Sequence, residues 1–158
     1  MLSRGPWLCP GHSILCPMKK KGTISQLKHE RDDDLMRAYL KELSGRPHIL
    51  LPDVLRAVVS SRSKRFWVTS ERASIVIYNM MKGDKLENMR PLKRKMFREI
   101  YRRVMKLKKN YLQLSISILT EQVVAEPAPE FYITWQSAKT ILSRIRKTRR
   151  VHKHHIKK

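Results

Sequence analysis

The chain has 158 residues, and its 35 Lys and Arg residues against 13 Asp and Glu residues give a formal net charge of +22. A hydrophobic content of 41% argues against wholesale disorder, and the length suits one domain or two small ones. No apolar run approaches the roughly 18 residues that span a bilayer, and the five scattered glycines exclude a P-loop or a dinucleotide fingerprint. The charge points to a polyanionic partner first, and then to an anionic membrane surface or an acidic protein.

The N-terminal segment, residues 1–17, differs in composition from the rest of the chain. Glycine and proline interrupt every apolar stretch there, so we expect no secretory signal. Met18 and the lysines after it resemble a second start, and we expect a disordered extension over residues 1–22. Cys9, His12 and Cys16 provide three candidate zinc ligands without a fourth, so we expect no metal site. Because the body has no cysteine, a reducing, cytoplasmic setting is favoured, with nucleoid association if the protein binds DNA.

Apolar periodicity and capping residues predict six helices. In chain order these are Ser25 to Leu43, a helix that begins near Pro52, a helix capped by Thr69 or Ser70 that runs to Met81, a long helix opened by Arg90 and Pro91, Ser115 to Val124, and a helix from Thr134 to about Lys147. Proline suits a first helical turn, threonine and serine suit N-caps, and Gly83 suits a helix end. Short extended pieces at 66–68 and 131–133 precede the third and sixth helices. The predicted fold class is all-α.

The two halves of the chain match at one constant offset, the one that places Phe66 on Phe131. The block Phe66-Trp67-Val68-Thr69 aligns with Phe131-Tyr132-Ile133-Thr134, and the apolar positions of the flanking helices align in the same register. A register held across three elements predicts an internal duplication. We therefore predict two tandem three-helix units, residues 23–83 and 84–147, followed by a basic tail over 148–158.

Each unit contains a long helix, a shorter helix, an extended connector and a capped helix. This order resembles tandem trihelical helix-turn-helix modules, of which Myb-like and homeodomain-like repeats are examples, over about residues 25–147. The resemblance implies DNA binding. About nine residues separate the second and third helices of each unit, whereas the usual turn has three or four. The sequence also looks like small basic proteins of unassigned function from gut Bacteroidales, a resemblance that implies no activity.

Positive charge is concentrated in the second half. Residues 18–83 contain 14 basic and 7 acidic residues, whereas residues 84–158 contain 20 and 6. Within 90–109 there are ten Lys and Arg residues and one acid, Glu99, and residues 144–158 contain eight Lys and Arg residues and no acid. We expect these two segments to capture a polyanion electrostatically.

The last helix carries polar and basic residues at the positions outside its apolar stripe. Gln and Arg side chains make bidentate contacts to base edges, while Lys and Ser suit phosphates. The alternative interpretation of this face is an ordinary solvated helix surface. The corresponding helix of the first unit is more apolar, which suits packing or a homodimer. The candidate nucleic-acid-binding residues are Lys93, Arg94, Arg98, Arg102, Gln136, Ser137, Lys139, Thr140, Ser143, Arg144, Lys147, Arg149 and Arg150.

Two other patterns favour structural over chemical roles. Asp32, Asp33 and Asp34 fan out over about 200° of a helix, so we expect them to complement a helix N-terminus and not to bind a metal. Phe66 and Trp67 follow basic residues, as in sites that stack single-stranded bases. Because aromatic residues recur at the matching positions of the second unit, we expect core packing instead.

Catalysis finds little support in the sequence. His29 and His48 are the only histidines of the body, and neither lies beside a candidate nucleophile. The leading hypothesis is a non-enzymatic, intracellular DNA-binding protein without a cofactor, such as a regulator or a mobile-element accessory factor. The alternatives are an RNA- or ribonucleoprotein-associated protein and a helical interaction or packaging protein that reads no sequence.

Overall fold

The computed structural model describes residues 24–45, 48 and 50–155, with side chains through Thr148. Six helices cover this part of the chain: α1 Ile24–Ser44, α2 Leu51–Ser60, α3 Ser70–Met81, α4 Pro91–Asn110, α5 Ile116–Ala125 and α6 Trp135–His155. The predicted all-α class is confirmed. Among the described helices, none combines the length and the apolar character needed to cross a membrane.

The predicted helix starts agree with the capping contacts. Thr69 Oγ1 accepts a hydrogen bond from the Arg72 N–H at 3.2 Å, and Thr134 Oγ1 accepts one from the Ser137 N–H at 3.2 Å. Each contact satisfies one of the backbone donors that a helix leaves unpaired at its N-terminus. Gly83 follows the end of α3 with a φ of 101°, a conformation that side chains other than glycine adopt at a cost.

Helix α6 is longer than the sequence analysis predicts. It continues to His155, whereas we expected it to end near Lys147 and a basic tail to follow over 148–158. The sequence contains no glycine or proline after Pro129, so no local signal ends the helix. The like-charged residues of this segment therefore lie on a helix as far as His155.

The buried side chains form two cores, and each core contains helices from both halves of the chain. Helix α6 packs on α1 and α2, while α3 packs on α4 and α5. The first core, named the α1–α2–α6 core, is built around Leu35, Met36, Tyr39, Val54, Leu55, Val58, Phe131, Ala138 and Leu142. The second, the α3–α4–α5 core, includes Phe66, Val76, Ile77, Phe97, Ile100, Val104, Leu119 and Val123.

The arrangement of two separately packed tandem units is therefore not confirmed. Among the described helices, α3 makes no close backbone contact with α1 or α2, and α6 makes none with α4 or α5. The nine residues that precede each third helix, residues 61–69 and 126–134, make this arrangement possible. An extended segment of this length reaches up to about 30 Å, so it carries the helix to the other half. A turn of three or four residues would hold the third helix against the second.

The two connectors cross each other as an antiparallel pair. Ser63 and Ala128 form an isolated antiparallel bridge, with N–H to O distances of 3.0 and 3.1 Å. Two more backbone hydrogen bonds flank it, from the Phe66 N–H to the Val124 oxygen at 3.1 Å and from the Phe131 N–H to the Val59 oxygen at 3.0 Å. These bonds satisfy backbone groups of the connectors that would otherwise be buried without partners.

The connector aromatics pack inside the protein, as predicted. Phe66 is fully buried, and its ring stacks on Tyr132 with 6.1 Å between the ring centroids. The Arg103 guanidinium lies 5.1 Å from the centre of the Phe66 ring. Phe131 and Trp67 lie in the α1–α2–α6 core, so each core receives one aromatic residue from each connector.

Candidate nucleic-acid interface

One face of α6 is buried and the opposite face is open to solvent. Ala138 and Leu142 lie in the α1–α2–α6 core, and Ile141 and Ile145 pack against it. An open groove of about 690 Å³ follows the other face. Its lining residues are Trp135, Gln136, Lys139, Thr140, Ser143, Arg144, Lys147 and Thr148. Helix α6 has no acidic residue, so this face, named the α6 face, carries only neutral and positive side chains.

Some predicted contact residues on α6 make local hydrogen bonds. Ser137 belongs to the N-cap, because its hydroxyl lies 2.9 Å from Thr134 Oγ1. Thr140 Oγ1 donates to the Gln136 carbonyl oxygen at 3.1 Å. Lys139 and Lys147 are exposed and have no ion-pair or hydrogen-bond partner among the described residues. The two lysines are therefore the freest cations of the α6 face.

Arg144, a predicted contact residue, is committed to an ion pair within the protein. Its Nη2 lies 2.6 Å from Asp32 Oδ2, and the Asp32 side chain is only 12% exposed. The other Asp32 oxygen accepts from Arg31 at 2.8 Å. This contact joins α6 to α1 across 112 residues of sequence. The interaction gives Arg144 a structural role that the sequence did not reveal.

The interpretation of the three consecutive acids as N-terminal charges was wrong. Helix α1 begins at Ile24, and its first turn contains no acid. Asp34 instead accepts a hydrogen bond from the Lys64 backbone N–H at 2.8 Å, which ties α1 to the first connector. A carboxylate suits this position because it satisfies a backbone donor in an irregular segment. No group of three metal-binding side chains occurs in the part of the chain that the structure describes.

Arg146 is an anchor of α6 that sequence analysis missed. Its Nη2 donates to the Tyr39 hydroxyl at 2.7 Å, and its guanidinium lies 4.9 Å from the centre of the Tyr39 ring. Tyr39 is 4% exposed and belongs to the α1–α2–α6 core. The combination of a hydrogen bond and a cation–π contact fixes the middle of α6 on α1.

Helix α4 presents a row of arginines. Arg94, Arg98 and Arg102 follow one another at intervals of four residues, which places them on one side of the helix with about 6 Å between successive positions. Lys93, Arg94 and Arg98 have no ion-pair or hydrogen-bond partner among the described residues. Arg102 instead forms two hydrogen bonds to Glu99, at 2.7 and 3.0 Å.

Glu99 is held in its ionised form. The hydrogen bond from Arg102 lowers the pKa of Glu99 below its ordinary value, and Arg103 adds to this effect from 2.8 Å. Burial alone would raise the pKa, but the two guanidinium groups outweigh it. The single acid of α4 is thus neutralised within the protein.

A groove of about 560 Å³ lies between α4 and the second connector. It is named the α4 groove, and it is lined by Pro91, Arg94, Lys95, Arg98, Glu99, Arg102, Pro129, Glu130 and Tyr132. Lys95 Nζ lies 2.8 Å from Glu130 Oε2 across this groove. Burial raises the pKa of Tyr132 to about 12, and the nearby Glu130 and Glu99 carboxylates act in the same direction. The Tyr132 hydroxyl therefore stays protonated, and able to donate, at neutral pH.

The structure places the predicted residues on two surfaces. Among the described helices, α4 and α6 do not pack on each other, and residues 129–135 connect the α4 groove to the start of the α6 face. The side chains of Arg149 and Arg150 lie outside the described residues, as do Cys9, His12 and Cys16. Comparison of the chain with protein-family models, curated proteins and solved structures finds no match.

Proposed function

We propose that this chain is a non-enzymatic DNA-binding protein that contacts duplex DNA through the α6 face. The observation that carries the proposal is a continuous exposed helix face with neutral and positive side chains only, while the opposite face is fixed in a core. Such a face attracts phosphates along its whole length and offers a rigid element to a groove.

The chemistry of individual residues supports contact with both bases and phosphates. Gln136 carries the amide group that pairs with adenine in the major groove, and Lys139 suits guanine or a phosphate. The 21 residues of α6 extend over about 30 Å, and a major groove about 12 Å wide admits an α-helix. Helices α1 and α2 hold α6 in place, so together they form a trihelical module.

We also propose that the two halves arose by duplication and exchanged their third helices. Two observations support this origin. Helix α2, residues 51–60, and helix α5, residues 116–125, are related by the same offset that aligns the two halves of the sequence. The bridged pair Ser63 and Ala128 is related by that offset as well. In this arrangement the sixth helix completes a module that the first two helices begin.

The test compares binding to DNA of different sequences. A duplex enriched from a random library and a scrambled duplex are titrated by fluorescence anisotropy at several salt concentrations. The double variant Gln136→Ala/Lys139→Ala should reduce the discrimination between them by at least about 10-fold, because even a single base contact contributes roughly 1–3 kcal/mol. Asn79→Ala/Lys82→Ala, at the C-terminal end of α3 and just after it, is the matched control, since it also removes one amide and one lysine from exposed positions.

The outcomes separate the classes of function. Equal weakening on both duplexes would assign the two residues to phosphate contacts. A preference for structured RNA over duplex DNA would favour the RNA-binding alternative. Equal loss of binding to duplex, RNA and heparin near about 150–200 mM salt would contradict sequence reading and leave a polyanion-neutralising protein.

A further inference from the structure

Tyr132 in the α4 groove has a polar group without a partner. The residue is only 8% exposed, and its hydroxyl has no hydrogen-bond partner among the described residues. The hydroxyl is nevertheless not sealed off, because it is not among the buried unsatisfied atoms, and Tyr132 lines the groove. A buried tyrosine usually satisfies its hydroxyl with a protein group. The hydroxyl is therefore available to something in the groove.

The charges around the groove leave two free cations among the described residues. Glu99 is neutralised by Arg102 and Arg103, and Glu130 Oε2 is paired with Lys95. The other Glu130 oxygen, Oε1, is buried without a hydrogen bond, so it does not pair with Arg94 or Arg98. Arg94 and Arg98 remain, one helical turn apart on the same wall of the groove.

The backbone of Tyr132 is strained, and this is a second indication that the residue takes part in ligand binding. Its φ is 53°, in the left-handed region that is costly for a bulky side chain. Trp67, which occupies the matching position in the first connector, does not have a positive φ. The strained conformation belongs to the connector that faces the arginines of α4, and strain of this kind is concentrated at ligand-binding positions.

We propose that the α4 groove binds a phosphate group of the nucleic-acid backbone, held by the Arg94 and Arg98 guanidinium groups and by a hydrogen bond from the Tyr132 hydroxyl. Guanidinium groups bind phosphate oxygens through paired N–H donors, and a phenol adds a third donor of fixed direction. The inference rests on the proposed function, and it assigns to α4 the role of positioning the duplex that the α6 face contacts.

The first experiment measures how binding depends on salt. The full chain is titrated with a fluorescein-labelled duplex that lacks terminal phosphates, between about 50 and 400 mM salt. Each phosphate contact contributes about 0.9 to the slope of log K against log salt. Because Arg94 and Arg98 share one phosphate in the proposed site, Arg94→Gln/Arg98→Gln should lower the slope by about 0.9 and weaken binding by about 10-fold at about 150 mM. Arg72→Gln/Lys82→Gln, in α3 and just after it, removes the same charge from exposed positions, and it should have the smaller effect.

The second variant isolates the hydroxyl. Tyr132→Phe keeps the ring that stacks on Phe66 and removes only the donor. Binding should weaken by about 3- to 10-fold while the salt slope stays unchanged, because no charge is lost. Circular dichroism melting of every variant verifies that the helices remain folded. If the ring alone matters, Tyr132→Phe should leave both the melting temperature and the affinity unaltered, because the hydroxyl has no hydrogen-bond partner among the described residues.

The source of the phosphate is tested with two further ligands. If the double variant loses affinity only for a duplex with 5′-phosphates, the groove binds a terminal phosphate and the proposed backbone contact is wrong. If the wild-type chain does not bind duplex DNA but broadens the ³¹P signal of inorganic phosphate, and Arg94→Gln/Arg98→Gln abolishes this, the groove binds phosphate and the DNA-binding proposal fails. Equal effects of the groove variants and the α3 control in every assay would overturn the inference.

Discussion

Helices α3 and α6 share their construction but expose different surfaces. Both follow nine-residue connectors, and both begin after a capping threonine. Helix α3 ends after 12 residues and leaves Ile75 and Tyr78 about half exposed. Helix α6 has Thr140 and Ser143 at the matching positions and continues for 21 residues. The contrast shows that packing constrains the buried face of each helix and leaves the residue types of the exposed face free to differ.

The first helices of the two halves, α1 and α4, differ in their charge. Helix α1 carries Asp32 and Asp34, which are buried and bind an arginine and a backbone N–H. Helix α4 carries Glu99 at the position that matches Asp34, and its other charges are positive. Each acid is paired with an arginine three residues later, Arg37 or Arg102. The ion pair is common to both helices, whereas the excess of positive charge belongs to α4 alone.

The largest expected effect tests whether each core is built from helices of both halves. Phe66→Ala and Phe131→Ala each remove a buried ring and should lower the free energy of unfolding by about 3–5 kcal/mol. Because each core contains helices from both halves, Phe131→Ala should speed amide hydrogen exchange in α1 and α2, and Phe66→Ala should speed it in α4 and α5, measured by mass spectrometry. Faster exchange confined to the helices of the mutated residue's own half would contradict the shared cores and favour independent halves. Leu112→Ala is the control, since this side chain is 74% exposed and should contribute less than about 0.5 kcal/mol.

An intermediate effect is expected from Asp32→Asn. The change weakens the contacts of Asp32 with Arg144 and Arg31, and should cost about 1–2 kcal/mol of stability. It also releases Arg144 on the α6 face, so duplex binding should tighten and its salt slope should steepen by about 0.9. Asp53→Asn on α2 is the control, because it makes the same change of charge at an exposed ion pair. It should alter the stability and the salt slope less than Asp32→Asn does. An unchanged slope would show that Arg144 stays away from DNA.

The smallest effect is expected on the exposed surface of α3. Replacing Ile75 with Thr and Tyr78 with Ser introduces the residues that α6 has at the matching positions. Because both side chains are largely exposed, stability should change by less than about 1 kcal/mol, and duplex affinity by less than about 2-fold. Loss of DNA binding in this variant would transfer the proposed interface from α6 to α3. Ile77→Thr, at a fully buried neighbouring position, should destabilise the protein much more.

The helices could be predicted because their boundaries depend on neighbouring residues. Thr69, Pro91 and Thr134 provide local start signals, and the apolar residues repeat with the helical period. The length of the connectors was also predicted, and it is the feature that carries the third helices across. Periodicity identifies a face that must be covered, but it does not identify the helix that covers it. The packing of α3 on α4 and α5, and of α6 on α1 and α2, was therefore beyond sequence reasoning.

The candidate site was predicted at the level of helix faces and not of single side chains. Lys139 and Lys147 are exposed on α6 and Arg98 on α4, as charge patterning indicated. Arg144 is paired with Asp32, a partner 112 residues away that no local rule selects. The strained backbone of Tyr132 likewise depends on its tertiary surroundings, since nothing in the residue type favours a positive φ.

The crossed connectors also bear on how the protein folds during synthesis. The α1–α2–α6 core contains the first helix and the last one, so Leu35 and Val54 stay uncovered until α6 has left the ribosome. The whole of 61–134 must be synthesised between α2 and its partner α6, and long-range contacts of this kind slow folding. The helix that completes the core is also the one proposed to contact DNA. A chain that has folded must already have its α6 in place, so in this arrangement the binding surface and the completed fold arise in the same step.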